Sequence, residues 1–218
     1  RTLASNNSTL VVVFNEAVYS TPNGSGSLEV SDFAFTISGG TATLASATPS
    51  SISSSGNTYT LGINLSGTSD GTETLTLNPV DDGVYDTDGN ESTTSQSNNS
   101  VTLNDITPAS ITGITLAADN STVSVTFSEA VYNATGGSGA LEVSDFAFTI
   151  SGGTATLASA TPSSISSSGN TYTLGINLSG TADGNEVLKV NPYNASSIYE
   201  GNNNASYSTQ SNNTVSLN

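Results

Sequence analysis

Apolar and β-branched residues alternate with polar ones in short runs along this chain, and no stretch carries the spacing of an amphipathic helix. The alternation predicts strands over Thr9–Phe14, Phe33–Ile37, Thr41–Ala45, Thr58–Leu65, Glu73–Leu77 and Val101–Leu103. It predicts them again over Thr122–Phe127, Phe146–Ile150, Thr154–Ala158, Thr171–Leu178, Glu186–Val190 and Val215–Leu217. Clusters of Gly, Asn and Ser separate the runs: Asn23–Gly26, Gly39-Gly40, Ser53–Asn57 and Asp70-Gly71 read as turns. Glu16–Tyr19 reads as a further short strand after a bend. Six or seven strands in about 100 residues predict an all-β chain of antiparallel β-sandwiches.

The pattern occurs twice because the sequence does. Leu28–Thr68 recurs unchanged as Leu141–Thr181, 41 residues at an offset of 113. Phe14–Tyr19 pairs with Phe127–Tyr132 at the same offset, and Gln96–Asn99 pairs with Gln210–Asn213 at an offset of 114. A solenoid repeats every ~20–50 residues, so this period is a whole domain. The expected domains are 1–104 and 105–218, with a linker at Asn104–Ser110 in which Pro108 restricts both itself and Thr107. Such a linker would give a beaded rod. The chain starts with Arg and within a repeat, which reads as a piece of a longer protein. Near-identical tandem domains suggest selection for module number and length, as in a stalk, adhesin or filament.

Composition narrows the partners. Only 9% of residues are charged, so Ser, Thr, Asn and Gly must cover most of the surface. With 18 acidic side chains against Arg1 and Lys189, the net charge of −16 disfavours nucleic acid and anionic membranes. It suits cations, salty surroundings, or mutual repulsion that keeps a crowded polymer soluble. No apolar run is long enough for a membrane helix. Cysteine is absent, so there are no disulfides, and histidine is absent too.

The ordered motifs Phe-x-Glu-Ala-Val, Asp-Phe before a strand, Thr-Tyr-Thr-Leu, and Tyr-Asp-x-x-Gly-Asn before the last strand resemble bacterial Ig-like domains. These are the tandem repeats of S-layer proteins and giant cell-surface adhesins, including the marine Bacteroidetes and cyanobacterial surface type. The resemblance covers both copies almost end to end. It implies two tandem Ig-like β-sandwiches, a structural or adhesive role at the bacterial cell surface, and no enzymatic activity. Tyr199–Asn204 departs from the pattern in the second copy.

Chemistry has few places to reside. A serine or threonine nucleophile would lack an activating base. Asp81 with Asp82, or Asp70 with Glu73, could form a glycosidase-type carboxylate pair, although solvated loop carboxylates are commonly plain turn residues. An isopeptide crosslink needs Lys, and the first repeat has Thr76 where the second has Lys189. The best metal candidate is Asp86-Thr87-Asp88-Gly89-Asn90-Glu91, where Asp86, Asp88 and Asn90 alternate like the opening of a calcium loop. The same spacing is also ordinary turn chemistry. Asp105, at the domain junction, is a further candidate Ca²⁺ ligand. Glu16, Glu129, Asp32 and Asp145 are turn or capping residues in the first instance. No cofactor is required, and calcium is the one ion the pattern suits.

The sequence therefore reads as a spacer or filament-forming repeat of an exported adhesin, meeting neighbouring repeats or identical subunits head to tail. The alternative is an adhesive module that recognises surface polysaccharide through the variable loops Ser20–Ser27 and Val80–Thr94, with their counterparts Asn133–Ala140 and Tyr193–Ser208.

Overall fold

A computed structural model describes residues 1–218. It is 42% strand and 3% helix, arranged in antiparallel sheets consistent with a β-sandwich. The chain divides into two compact units, Arg1–Thr107 and Pro108–Asn218.

In chain order the strands of the first unit are β1 (Thr2–Leu3), β2 (Thr9–Val13), β3 (Val18–Tyr19), β4 (Phe33–Ser38), β5 (Thr43–Leu44), β6 (Ile52–Ser55), β7 (Thr58–Gly62), β8 (Leu65–Ser66), β9 (Thr74–Pro79), β10 (Tyr85–Asp86) and β11 (Ser100–Thr102). They form sheets β1-β2-β7-β6 and β11-β9-β4, with two small ribbons, β10-β3 and β5-β8. The alternating strands turn one face inward: Leu10, Phe33, Phe35, Leu61, Leu75 and Leu77 make one buried cluster. Each such side chain contributes about 1.5–3 kcal/mol on burial. Phe14 meets Tyr59 edge-on at 5.6 Å.

The second unit follows the same plan: β12 (Ile111–Leu116), β13 (Thr122–Phe127), β14 (Val131–Tyr132), β15 (Phe146–Ser151), β16 (Thr156–Leu157), β17 (Ile165–Ser168), β18 (Thr171–Gly175), β19 (Leu178–Ser179), β20 (Val187–Pro192), β21 (Tyr199–Glu200) and β22 (Thr214–Ser216). Its sheets are β12-β13-β18-β17 and β15-β20-β22, with ribbons β14-β21 and β16-β19. Phe127, Phe146 and Tyr172 form its aromatic cluster.

Several local expectations change. Ser53–Asn57 is not all turn: β6 carries three serines and pairs with β7 around the two-residue loop Gly56-Asn57. An edge strand with exposed serines lacks the alternation that marks a half-buried one. The run Thr58–Leu65 breaks after Gly62, with Leu65–Ser66 crossing to a different ribbon. Asp105, Ile106 and Thr107 hold to the first unit, since Ile106 N–H donates to the Ser69 carbonyl at 3.0 Å and Thr107 Oγ1 donates to the same carbonyl at 2.9 Å.

Candidate functional site

The loop after β10 is built by one carboxylate. Asp86 Oδ1 accepts the N–H groups of Asp88 and Asn90, both at 2.8 Å, and Oδ2 accepts the Asn90 side-chain amide at 2.8 Å. Gly89, at φ +81°, closes the turn where its backbone passes the Pro22 carbonyl. The Asn90 amide, and then the backbone N–H groups of Asn90 and Asp88, hold the Asp86 carboxyl below its usual range. Asp86 and Asn90 are thus brought together, with the amide's N–H end toward the carboxylate. Asp88 is exposed. Asp105 lies elsewhere: it bridges Asp70, packs beside Gly71, and accepts the Thr107 N–H at 2.8 Å. A cation taking Asp86 as a ligand would share the carboxylate with the three N–H bonds it already accepts.

The corresponding loop of the second unit uses a longer acid for the same task. Glu200 accepts the N–H groups of Asn202 and Asn204 and is fully buried. The departure of Tyr199–Asn204 from the motif therefore preserves a carboxylate-centred turn while changing its side chains.

Four other carboxylates also take part in local turns. Asp70 Oδ1 accepts both the hydroxyl and the N–H of Thr72, at 2.5 and 3.0 Å, which lowers its pKa. Asp82, exposed and at φ +58°, takes the Tyr85 hydroxyl at 2.9 Å and gives its N–H to Glu91 at 2.7 Å. The bond from its hydroxyl to the Asp82 carboxylate raises the Tyr85 pKa. Asp32 and Asp145 each accept the N–H three residues back, at 2.7 Å, and close a short 3-10 turn.

Sequence reasoning named Glu73 only as half of a possible carboxylate pair and passed over Glu186; both are fully buried. Glu73 Oε1 accepts the N–H groups of Thr41 and Ala42 at 2.9 and 2.8 Å, and its carboxylate also accepts the Asp70 N–H at 3.2 Å. Glu186 accepts Thr154, Ala155, Asp183 and Gly184 in the same way. Backbone N–H donors led by Ala155 pull its pKa down to about 2. The available signal was the recurrence of Gly-Gly-Thr-Ala and Asp-x-x-Glu in both copies. Glu73 thus ties the segment at Thr41 and Ala42 to the Asp70 turn.

The variable loops differ in one more respect. Tyr193 and Tyr207 are 65% and 54% exposed, where the first repeat has Val80 and Thr93. No protein-family model matches this chain, and no curated protein matches it in sequence.

Proposed function

We propose that this chain is a structural repeat of an exported bacterial surface protein, a spacer or filament-forming segment of the Ig-like adhesin type its sequence resembles. The observation that supports this most is that one interior is used twice. The 41-residue block supplies equivalent strands to both units, and Glu73 and Glu186 anchor the same crossing in each. The differences gather in loops, as expected where modules are selected for number and durability. Neighbouring repeats or identical subunits, joined head to tail, are its partners, and the reading includes no enzymatic step. Pulling on the whole chain between two handles tests it. Two separate unfolding events are expected, each releasing on the order of 350–400 Å of chain. Extension without resolved events would sink the reading.

A further inference from the structure

The loop Ser20–Ser27 of the first unit holds the one Asn-Gly pair in the chain, Asn23-Gly24, and Asn23 is exposed. A bridge between Thr21 and Ser25 closes the loop, with the Ser20 N–H on the Gly26 carbonyl at 3.3 Å. Its hydroxyls converge on one atom. Ser25 Oγ donates to Asn23 Oδ1 at 2.5 Å, and Thr21 Oγ1 stands 2.5 Å from the same oxygen. The Thr21 hydroxyl also reaches the Ser25 carbonyl, so its one proton is shared between two acceptors. None of these bonds uses the Gly24 N–H, and glycine leaves that nitrogen unshielded by a side chain.

The Asp-Gly pairs of the chain lack this combination. Gly83 donates its N–H to the Val80 carbonyl at 3.0 Å, Gly89 to the Asp86 carbonyl at 3.2 Å, and Gly184 to Glu186 Oε2 at 3.2 Å. Each of those nitrogens is therefore engaged. At Asp70-Gly71 the hydroxyl and N–H of Thr72 both bond Asp70 Oδ1 and keep the group a carboxylate, a poor target for a nucleophile. The second unit has Gly136 where the first has Asn23, and the Gly136 N–H donates to Asn203 Oδ1. The arrangement belongs to the first repeat alone.

We propose that Asn23 is a self-modifying site, which converts to aspartate and isoaspartate by attack of the Gly24 main-chain nitrogen. That nitrogen gives its proton to hydroxide and bonds to Asn23 Cγ. Negative charge develops on Oδ1, where the Ser25 and Thr21 hydroxyls already stand. The Cγ–Nδ2 bond then breaks, Nδ2 takes a proton from water and leaves as ammonia, and a succinimide ring remains. Water opens the ring in either of two ways. Breaking the bond from nitrogen to Cγ gives aspartate in an ordinary main chain. Breaking the bond from nitrogen to the main-chain carbonyl carbon gives isoaspartate, whose chain runs through Cγ. In both, one amide and one water become one carboxylate and one ammonium ion.

The change reaches the neighbouring turn through main-chain contact. A Cβ on Gly24 would lie 3.3 Å from the Thr87 carbonyl, and one on Gly89 would lie 2.3 Å from the Pro22 carbonyl. The two loops thus touch along their backbones. Isoaspartate adds one carbon to the main chain between Pro22 and Gly24, so both contacts cannot be kept. The displaced partner is the turn in which Asp86 holds the N–H groups of Asp88 and Asn90. With time the first repeat gains a carboxylate and a loosened turn, and the second, with Gly136, keeps its original loop.

The test incubates the whole chain in mildly alkaline buffer made with heavy-oxygen water and maps the products by peptide mass spectrometry. Heavy oxygen is expected in the peptide that holds Asn23, as separable aspartate and isoaspartate forms. Asn23→Gly, which copies the second repeat, is expected to abolish it. Ser25→Ala together with Thr21→Val is expected to slow conversion about three- to tenfold in the folded chain. The same pair of changes is expected to leave the rate in urea unaltered, which separates the folded geometry from the dipeptide's own reactivity. Amide hydrogen exchange at Asp88 and Asn90 is expected to rise in the isoaspartate fraction and to stay unchanged in the Asn23→Asp chain. No heavy oxygen at Asn23, or an equal rate in the folded chain with and without the two hydroxyls, overturns the proposal. Unchanged exchange in the isoaspartate fraction overturns the coupling to the Asp86 turn.

Discussion

Glu73 and Glu186 each place a buried carboxylate among backbone N–H donors, and the neighbouring glycines make room for it. A Cβ on Gly40 would lie 2.2 Å from the Glu73 carboxyl carbon, whereas a Cβ on Gly56 would meet nothing within 4 Å. Both residues sit at positive φ, +56° and +57°. Gly56→Ala is therefore expected to cost only the left-handed strain, about 1–2 kcal/mol in urea unfolding. Gly40→Ala is expected to cost roughly twice as much or more, because the carboxylate must move off its donors. Equal costs would refute the packing argument. Acid stability follows from the Glu186 pKa, which folding lowers from 4.5 to about 2. A depressed carboxyl stabilises the fold at pH values above 4.5, and that contribution is lost as pH falls toward 2. Glu186→Gln should flatten this part of the melting-temperature profile and leave the remaining acid sensitivity in place.

At the level of elements, alternation located β2, β4, β7 and β9 and their second-unit counterparts, because every second apolar residue is buried or packs against the core. It did not locate β6, whose serines face solvent, or β10, whose two residues are too few to alternate and whose Asp86 opens the candidate calcium motif. Asp86 and Asn90 were legible as a turn-forming pair. The direction of the Asn90 amide, N–H toward Asp86, was not, because side-chain orientation depends on the folded turn. This geometry makes a definite prediction for calcium. Any difference in melting temperature between excess EDTA and millimolar calcium should persist in an Asp86→Asn, Asp88→Asn chain. Disappearance of that response in the variant would instead identify the loop as a ligand set.

At the scale of the whole chain, the duplicated sequence and the two compact units lead to the expectation of two mechanical events under load, with the near-identical interiors giving near-equal chain release. The sequence by itself determined the all-β character, the duplication and most core strands, because period-two alternation and repetition are local or one-dimensional properties. The division of the chain fell between Thr107 and Pro108, a few residues past the expected point, through bonds from Ile106 and Thr107 to Ser69. Tertiary structure alone decided what the buried acids and amides hold. Glu73 receives donors from residues 31 and 32 positions away, and Gln210 grips an amide 99 positions away. Such pairings depend on how distant strands meet, which no local pattern of residues encodes.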